Sequence, residues 1–140
     1  MIQRQQTLWL ILATVCAFLS FQFPFAIGKE TVENSAALLD VNIDAASDLF
    51  LILLTGASVI LSLVTIFMFK DRKLQGRLTL LGILLSAGII VKYIVRYTEL
   101  VSPVPALWSV LPFLVLIGYI MAYRGIRHDE RLVKSLDKLR

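Results

Sequence analysis

Two positively charged residues, Lys92 and Arg96, lie one helical turn apart inside the third long apolar stretch of the sequence, residues 78–97. A charge within a membrane span is a candidate functional site, because it is costly in hydrocarbon unless it has a partner. Two cations at this spacing share a helical face, where they are able to bind a phosphate or a carboxylate. The elements around them decide whether that anion is a ligand or part of the protein.

Four apolar stretches organise the chain, which is 58% hydrophobic and only 17% charged, with a mean hydropathy of +0.80. Soluble domains carry about 25% charged residues. Each stretch is close to the roughly 20 residues that cross about 30 Å of hydrocarbon. The first is longer than a signal-peptide core of about 7–15 residues, so we expect it to remain uncleaved. The sequence predicts an all-α membrane protein, a four-transmembrane-helix bundle forming a single domain over residues 1–140, with spans at about 7–27, 49–69, 78–97 and 106–123.

Lys/Arg bias in the short connections predicts the orientation of the bundle. The N-terminus, the turn at 70–77 and the tail at 124–140 hold most of the basic residues, and four spans place all three on one side. The loop at 28–48, with one lysine against five acidic residues, falls on the other side. We therefore expect a multi-pass protein with both termini in the cytoplasm and residues 28–48 as an outer loop.

The depth of Lys92 bears on its role. Counted from Leu78, it lies about 21 Å into the membrane, which leaves roughly 9 Å to the outer boundary. Three interpretations stay open: both stems snorkel to the outer headgroups, they pair with acidic residues, or they bind a lipid phosphate or carboxylate. Asp44 is expected to cap helix 2, with Asp48 in its first turn. The candidate outer ionic cluster comprises Lys92, Arg96, Glu99, Asp44 and Asp48.

The tail either continues helix 4 or restarts after Gly125. Its apolar residues recur at helical spacing, which predicts a short amphipathic cytoplasmic C-terminal helix. Such a helix is able to dock a cytosolic partner or lie on anionic lipid, while the simpler alternative, favoured on the residues alone, is a solvated anchor. No aromatic interleaving accompanies its basic residues, so we expect no nucleic-acid partner. Pro112, inside the fourth stretch, is expected to kink that helix.

The sequence contains no recognisable catalytic pattern. His128 is the only histidine and Cys16 the only cysteine, so neither a metal site nor an internal disulfide is expected. Acidic residues are absent from the interiors of all four spans, which argues against a proton-driven carrier. We expect a non-enzymatic protein without a cofactor.

Three segments resemble an uncharacterised membrane-protein family of Bacteroidota, a domain of unknown function: residues 1–10 (MIQRQQTLWL), 66–75 (IFMFKDRKLQ) and 124–140 (RGIRHDERLVKSLDKLR). The resemblance implies a four-span protein of the bacterial inner membrane and carries no assigned activity. It also draws attention to the basic turn and the tail. The candidate cytoplasmic interaction surface comprises Arg4, Arg72, Lys73, Arg127, Asp129, Glu130, Arg131 and Lys134.

The function that these features favour is an accessory or assembly subunit of a larger envelope complex. The alternative is a small lipid or anion binder, or a transporter, that uses Lys92 and Arg96. Membrane lipids are expected partners, together with other membrane proteins or a second copy of the chain.

Overall fold

The fold is taken from a computed structural model, which describes residues 3–32 and 37–140, without the side chains of residues 3 and 4. Four helices and three strands follow one another along the chain: α1 (Gln3–Leu19), β1 (Ala26–Thr31), β2 (Leu38–Ile43), α2 (Leu49–Phe67), α3 (Arg72–Glu99), β3 (Val101–Pro105) and α4 (Val110–Lys138), with a 3-10 turn at Leu107–Ser109 before α4.

The helices pack in sequence order: α1 on α2, α2 on α3, α3 on α4, and α4 back on α1. We call these four helices the helical body. Three segments, α2, α3 and α4 with its preceding 3-10 turn, are long and apolar enough to cross a membrane. The shorter α1 ends at Leu19, well before the predicted boundary at residue 27. Pro24 explains part of this difference, since it has no amide to donate to the Ser20 carbonyl four residues back, which accepts from the Ala45 amide instead.

The buried and exposed faces of α2 are the reverse of those of a helix in a soluble protein. Its buried face carries four hydroxyl side chains, Thr55, Ser58, Ser62 and Thr65, next to Leu51. Leucine, isoleucine, valine and phenylalanine side chains cover its exposed face. Small hydroxyl residues allow close helix packing in lipid, where burying apolar groups between helices gains little. This distribution is consistent with a membrane protein.

Close helix packing is clearest between α3 and α4, where the Tyr119 ring lies against Gly82. The Tyr119 hydroxyl donates a hydrogen bond to the Ser58 carbonyl oxygen at 2.7 Å, which also links α4 to α2. On the other side of α4, Gly118 lies against the Trp9 carbonyl of α1. Both glycines are needed because a Cβ atom would overlap the neighbouring helix.

A three-stranded antiparallel sheet with the order β2-β1-β3 covers one end of the helical body, which we call the sheet end. The chain is mostly helical with four helices, as predicted, but the prediction of an all-α fold missed this sheet. Strand β1 pairs with β2 from Ala26↔Ile43 to Thr31↔Leu38, and the central position of β1 leaves the proline-containing β3 at an edge. Proline is tolerated at an edge because no further strand lies there to accept a hydrogen bond from the amide that proline lacks. Phe25, just before β1, stacks on Tyr93 of α3 and so attaches the sheet to the helices.

The predicted ends of the last two helices also differ from the structure. Helix α3 begins at Arg72, so most of the predicted 70–77 turn is helical, and α4 runs unbroken through Gly125 to Lys138. The amphipathic tail is thus the end of α4 and not a separate short helix. Gly125 does not break the helix; its missing side chain leaves room for the Gln6 side chain of α1. Pro112, expected to kink the fourth helix from within, lies in the first turn of α4, where amides need no helical acceptor, and does not interrupt the helix.

Candidate functional site

At the sheet end, Lys92 of α3 lies 3.1 Å from Asp48, measured from Nζ to Oδ2. Asp48 is also the N-cap of α2, where its side chain accepts a hydrogen bond from the Phe50 amide. The Lys92 ammonium and the Phe50 amide hold the pKa of this carboxyl below its usual value. A single carboxylate therefore caps α2 and ties it to α3, so Lys92 follows the second of the three open interpretations, pairing with an acidic residue.

Arg96 is paired differently. Its Nη1 donates to Glu99 Oε2 at 2.8 Å, and both residues belong to α3. This pair supports the last turn of α3 and does not join two helices. The candidate outer ionic cluster is thus two separate ion pairs, Lys92–Asp48 and Arg96–Glu99, and both cations already have a carboxylate partner.

Asp44 belongs to neither ion pair. Its carboxylate accepts a hydrogen bond from the Ala46 amide at 2.9 Å, and its carbonyl accepts one from the Ser47 hydroxyl at 2.7 Å. It therefore shapes the turn between β2 and α2. The expectation that Asp44 caps α2 is wrong, since Asp48 takes that role.

The opposite end of the helical body, which we call the basic end, consists of residues 68–80 and 121–140. A groove of about 370 Å³ runs there between the first turns of α3 and the second half of α4. Its lining includes four cations with one aromatic and one apolar side chain: Arg72, Lys73, Arg77, Arg127, Tyr123 and Leu80. Arg72 and Lys73 belong to the predicted interaction surface, and the structure brings them to the same groove as Arg127.

Arg127 is held in place along α4. Its Nε donates a hydrogen bond to the Tyr123 hydroxyl at 2.9 Å, and its Nη1 lies 3.6 Å from Glu130 Oε2. Glu130 pairs more closely with Lys134, at 3.0 Å between Oε1 and Nζ. Since Lys134 neutralises much of the Glu130 charge, the groove keeps an excess of positive charge.

Asp129 does not belong to the surface to which the sequence assigned it. Its side chain is buried, with 5% exposure, and its Oδ2 accepts a hydrogen bond from the Gln6 amide group of α1. Its Oδ1 has no hydrogen-bond partner among the described residues. Asp129 therefore links α4 to α1 and is unavailable to a partner. Arg131 is exposed, and the Arg4 side chain lies outside the described residues.

Sequence reasoning missed three residues: Arg77 and Tyr123, which line the groove of the basic end, and Gln6 of α1, which binds Asp129. Spacing holds a signal for two of them, because Arg77 follows Lys73 by four residues on α3 and Tyr123 precedes Arg127 by four on α4. The signal for Gln6 is weaker. Its partner lies at the far end of the chain, and nothing local in the sequence joins them.

These features define a small, mostly helical protein with three helices able to cross a membrane, paired charges at one end and a cationic groove at the other. The chain belongs to the family described as a domain of unknown function, DUF4293, whose model matches residues 2–139. The match confirms the resemblance to a family without an assigned function, while its bacterial range and topology stay predictions. No curated protein and no solved structure matches the chain.

Proposed function

We propose that this protein is a four-span component of the bacterial inner membrane with both termini in the cytoplasm. The hydroxyl-lined interior and apolar exterior of α2 support the membrane placement. In this arrangement α1 is the fourth span, extended toward the sheet end by residues 20–25, three of which are phenylalanines. The basic end then faces the cytoplasm, in keeping with the Lys/Arg bias of cytoplasmic segments.

Within that membrane we propose a non-enzymatic role, as an accessory or assembly subunit of an envelope complex. The observation that carries this proposal is the end of α4. Residues 131–140 are all exposed although the helix is unbroken as far as Lys138. Four apolar residues of this segment follow helical spacing and lie on one side of the helix: Leu132, Val133, Leu136 and Leu139. The most exposed of them is Leu139, at 85%.

A protein partner explains this face better than the lipid surface does. From Tyr123 to Lys138 the helix advances about 22 Å, and it does so in continuity with a span. A helix that continues a span projects away from the membrane, whereas a helix adsorbed on lipid lies in the plane of the interface. The partner that fits is a protein with an apolar groove able to accept residues spaced three and four apart.

The test is affinity purification of the chain at native expression in mild detergent, followed by mass spectrometry of bound proteins. The variant Leu132→Ser/Leu136→Ser removes two apolar contacts, and Ser135→Ala is the matched control on the same turn. We expect one set of partners with the wild type and the control, and its loss with the double variant. Recovery of the wild type only as a free species, or unchanged partners with the double variant, contradicts the proposal.

The alternative, an anion binder or transporter based on Lys92 and Arg96, has less support. Both cations are paired within the fold, so an external anion would have to displace Asp48 or Glu99. Loss of a bound lipid on Lys92→Met, with the protein still folded, would favour this alternative over the accessory role.

A further inference from the structure

The groove at the basic end has a composition that the docking of the α4 tail does not explain. Four cations line it against one carboxylate, Glu130, which Lys134 already pairs from outside the groove. Arg72 and Arg77 form no ion pair with any residue that the structure describes. Lys73 interacts with Glu130 only at longer range. Unpaired cations gathered in one concave site favour an anionic ligand.

The positions of these side chains suit a phosphate group. Arg72 and Lys73 come from the first turn of α3, and Arg77 follows Lys73 by one turn on the same face. Arg127 approaches from α4, with its guanidinium oriented by the Tyr123 hydroxyl. Guanidinium groups match phosphate oxygens in a bidentate geometry, so three arginines on two helices are able to hold one phosphate from two sides.

The edge of the groove nearest Leu80 is apolar, which restricts the kinds of ligand that fit it. Leu80 lines the groove, and Leu84, one turn further along α3 on the same face, is 67% exposed. An apolar strip therefore leads from the cations along the outside of α3, where hydrocarbon lies if α3 spans the membrane. A free anion would make no contact with such a strip, whereas a phospholipid has both a headgroup that binds cations and an acyl chain that packs against apolar side chains.

We propose that this groove binds the phosphate headgroup of an anionic glycerophospholipid, held by Arg72, Lys73, Arg77 and Arg127, with an acyl chain along Leu80 and Leu84. The inference uses the membrane placement given under "Proposed function" but not the docking of the α4 tail. The lipid would link α3 to α4 just before the exposed end of α4.

Native mass spectrometry of the purified full chain in mild detergent tests this site, with phosphatidylglycerol, phosphatidylcholine and inorganic phosphate as probes. Each basic residue near a membrane surface contributes about a fivefold change in affinity, so Arg72→Gln/Arg77→Gln should weaken phosphatidylglycerol binding about 30-fold. The charge-conserving Arg72→Lys/Arg77→Lys should lose less binding than the glutamine variant, because it keeps both charges and loses only the bidentate contacts. Lys70→Gln removes a cation from the same end but outside the groove lining, and should leave binding within about twofold, since this residue lies off the site.

Several outcomes overturn the proposal. Equal binding of phosphatidylcholine would show that the anionic headgroup is not selected. Equal losses with the glutamine double variant and with Lys70→Gln would indicate a diffuse surface charge effect. Competition by inorganic phosphate at the same concentration as the lipid would assign the site to a free anion.

A thermal melt of each variant, compared with the wild type, separates loss of the site from loss of the fold. Tail variants that lose their protein partners but keep the lipid would distinguish this site from the docking face.

Discussion

The substitution Gly82→Ala tests the packing of α3 on α4 most directly. A Cβ atom at this position would come within 3.0 Å of three atoms of the Tyr119 ring, closer than real contacts allow. The ring has little room to yield, because Tyr119 is fully buried and its hydroxyl is bonded to Ser58 on α2. The added methyl group must therefore separate the helices or break that hydrogen bond.

The magnitude follows from three contributions to the free energy of unfolding. Overpacking a filled site costs about 1–3 kcal/mol. Loss of one interhelical hydrogen bond in a membrane protein costs about 0.6 kcal/mol. Replacing a helical glycine by alanine returns about 1 kcal/mol through helix propensity. We expect Gly82→Ala to lower the free energy of unfolding by about 1–3 kcal/mol.

Gly88→Ala on the same helix is the matched control, because no described atom lies within 4 Å of its added Cβ. The gain in helix propensity is common to both variants and cancels in their difference. Gly82→Ala should therefore be less stable than Gly88→Ala by about 2–4 kcal/mol. Unfolding in mixed micelles with increasing dodecyl sulfate, followed by tryptophan fluorescence, measures both. Equal stability of the two variants would refute the close contact between Gly82 and Tyr119.

Three further predictions concern buried and paired polar groups. Asp129→Ala leaves the buried Gln6 amide group unpaired and should lower the free energy of unfolding by about 1–3 kcal/mol, whereas Asp129→Asn keeps an acceptor and should lose less in the same unfolding assay. The ion pair of Asp48 with Lys92 should stabilise the fold above the usual carboxyl pKa of 3.8, and this stabilisation should be lost as the pH falls through the lower pKa of the folded state. Melting temperatures measured from pH 6 to pH 3 should therefore fall more steeply for the wild type than for Lys92→Met. Equal slopes would contradict the pairing. Thr55→Val removes a buried hydroxyl that has no hydrogen-bond partner among the described residues, and should be neutral or stabilising by about 1 kcal/mol, so a marked loss in the unfolding assay would reveal a partner for that hydroxyl.

The apolar stretches of the sequence correctly indicated the four helices, because the length and hydropathy of each stretch are local properties that can be read without the rest of the fold. The small sheet was missed for the opposite reason. Strand β1 pairs with residues 101–105, far along the chain, and two prolines in that segment favour a loop when it is read alone. Only the closing of the helical body brings β3 to the edge of β1, where those prolines cost no hydrogen bond.

The charged residues divide in the same way. The sequence brought Lys92 and Asp48 into one candidate cluster, because depth arithmetic places the end of α3 and the start of α2 at the same level, although it left the partner of Lys92 open. Asp129 could not be separated from Glu130 by the same reasoning, since adjacent residues on a polar helix look alike in sequence. Its burial depends on Gln6 of α1 approaching α4 through the space left by Gly125, which is a tertiary contact without a local signal.

The two ends of the helical body differ in how their charges are satisfied, and this difference supports placing the function at the basic end. At the sheet end, Lys92 and Arg96 each have a carboxylate partner, so their charges stabilise the fold and leave little for a ligand. At the basic end, Arg72 and Arg77 have no such partner among the described residues. Self-repulsion among unpaired cations destabilises a fold, so the groove gains most from an anion supplied from outside the chain. This contrast supports the proposals of lipid binding and protein docking at the basic end, while the Lys92–Asp48 pair at the sheet end ties α2 to α3.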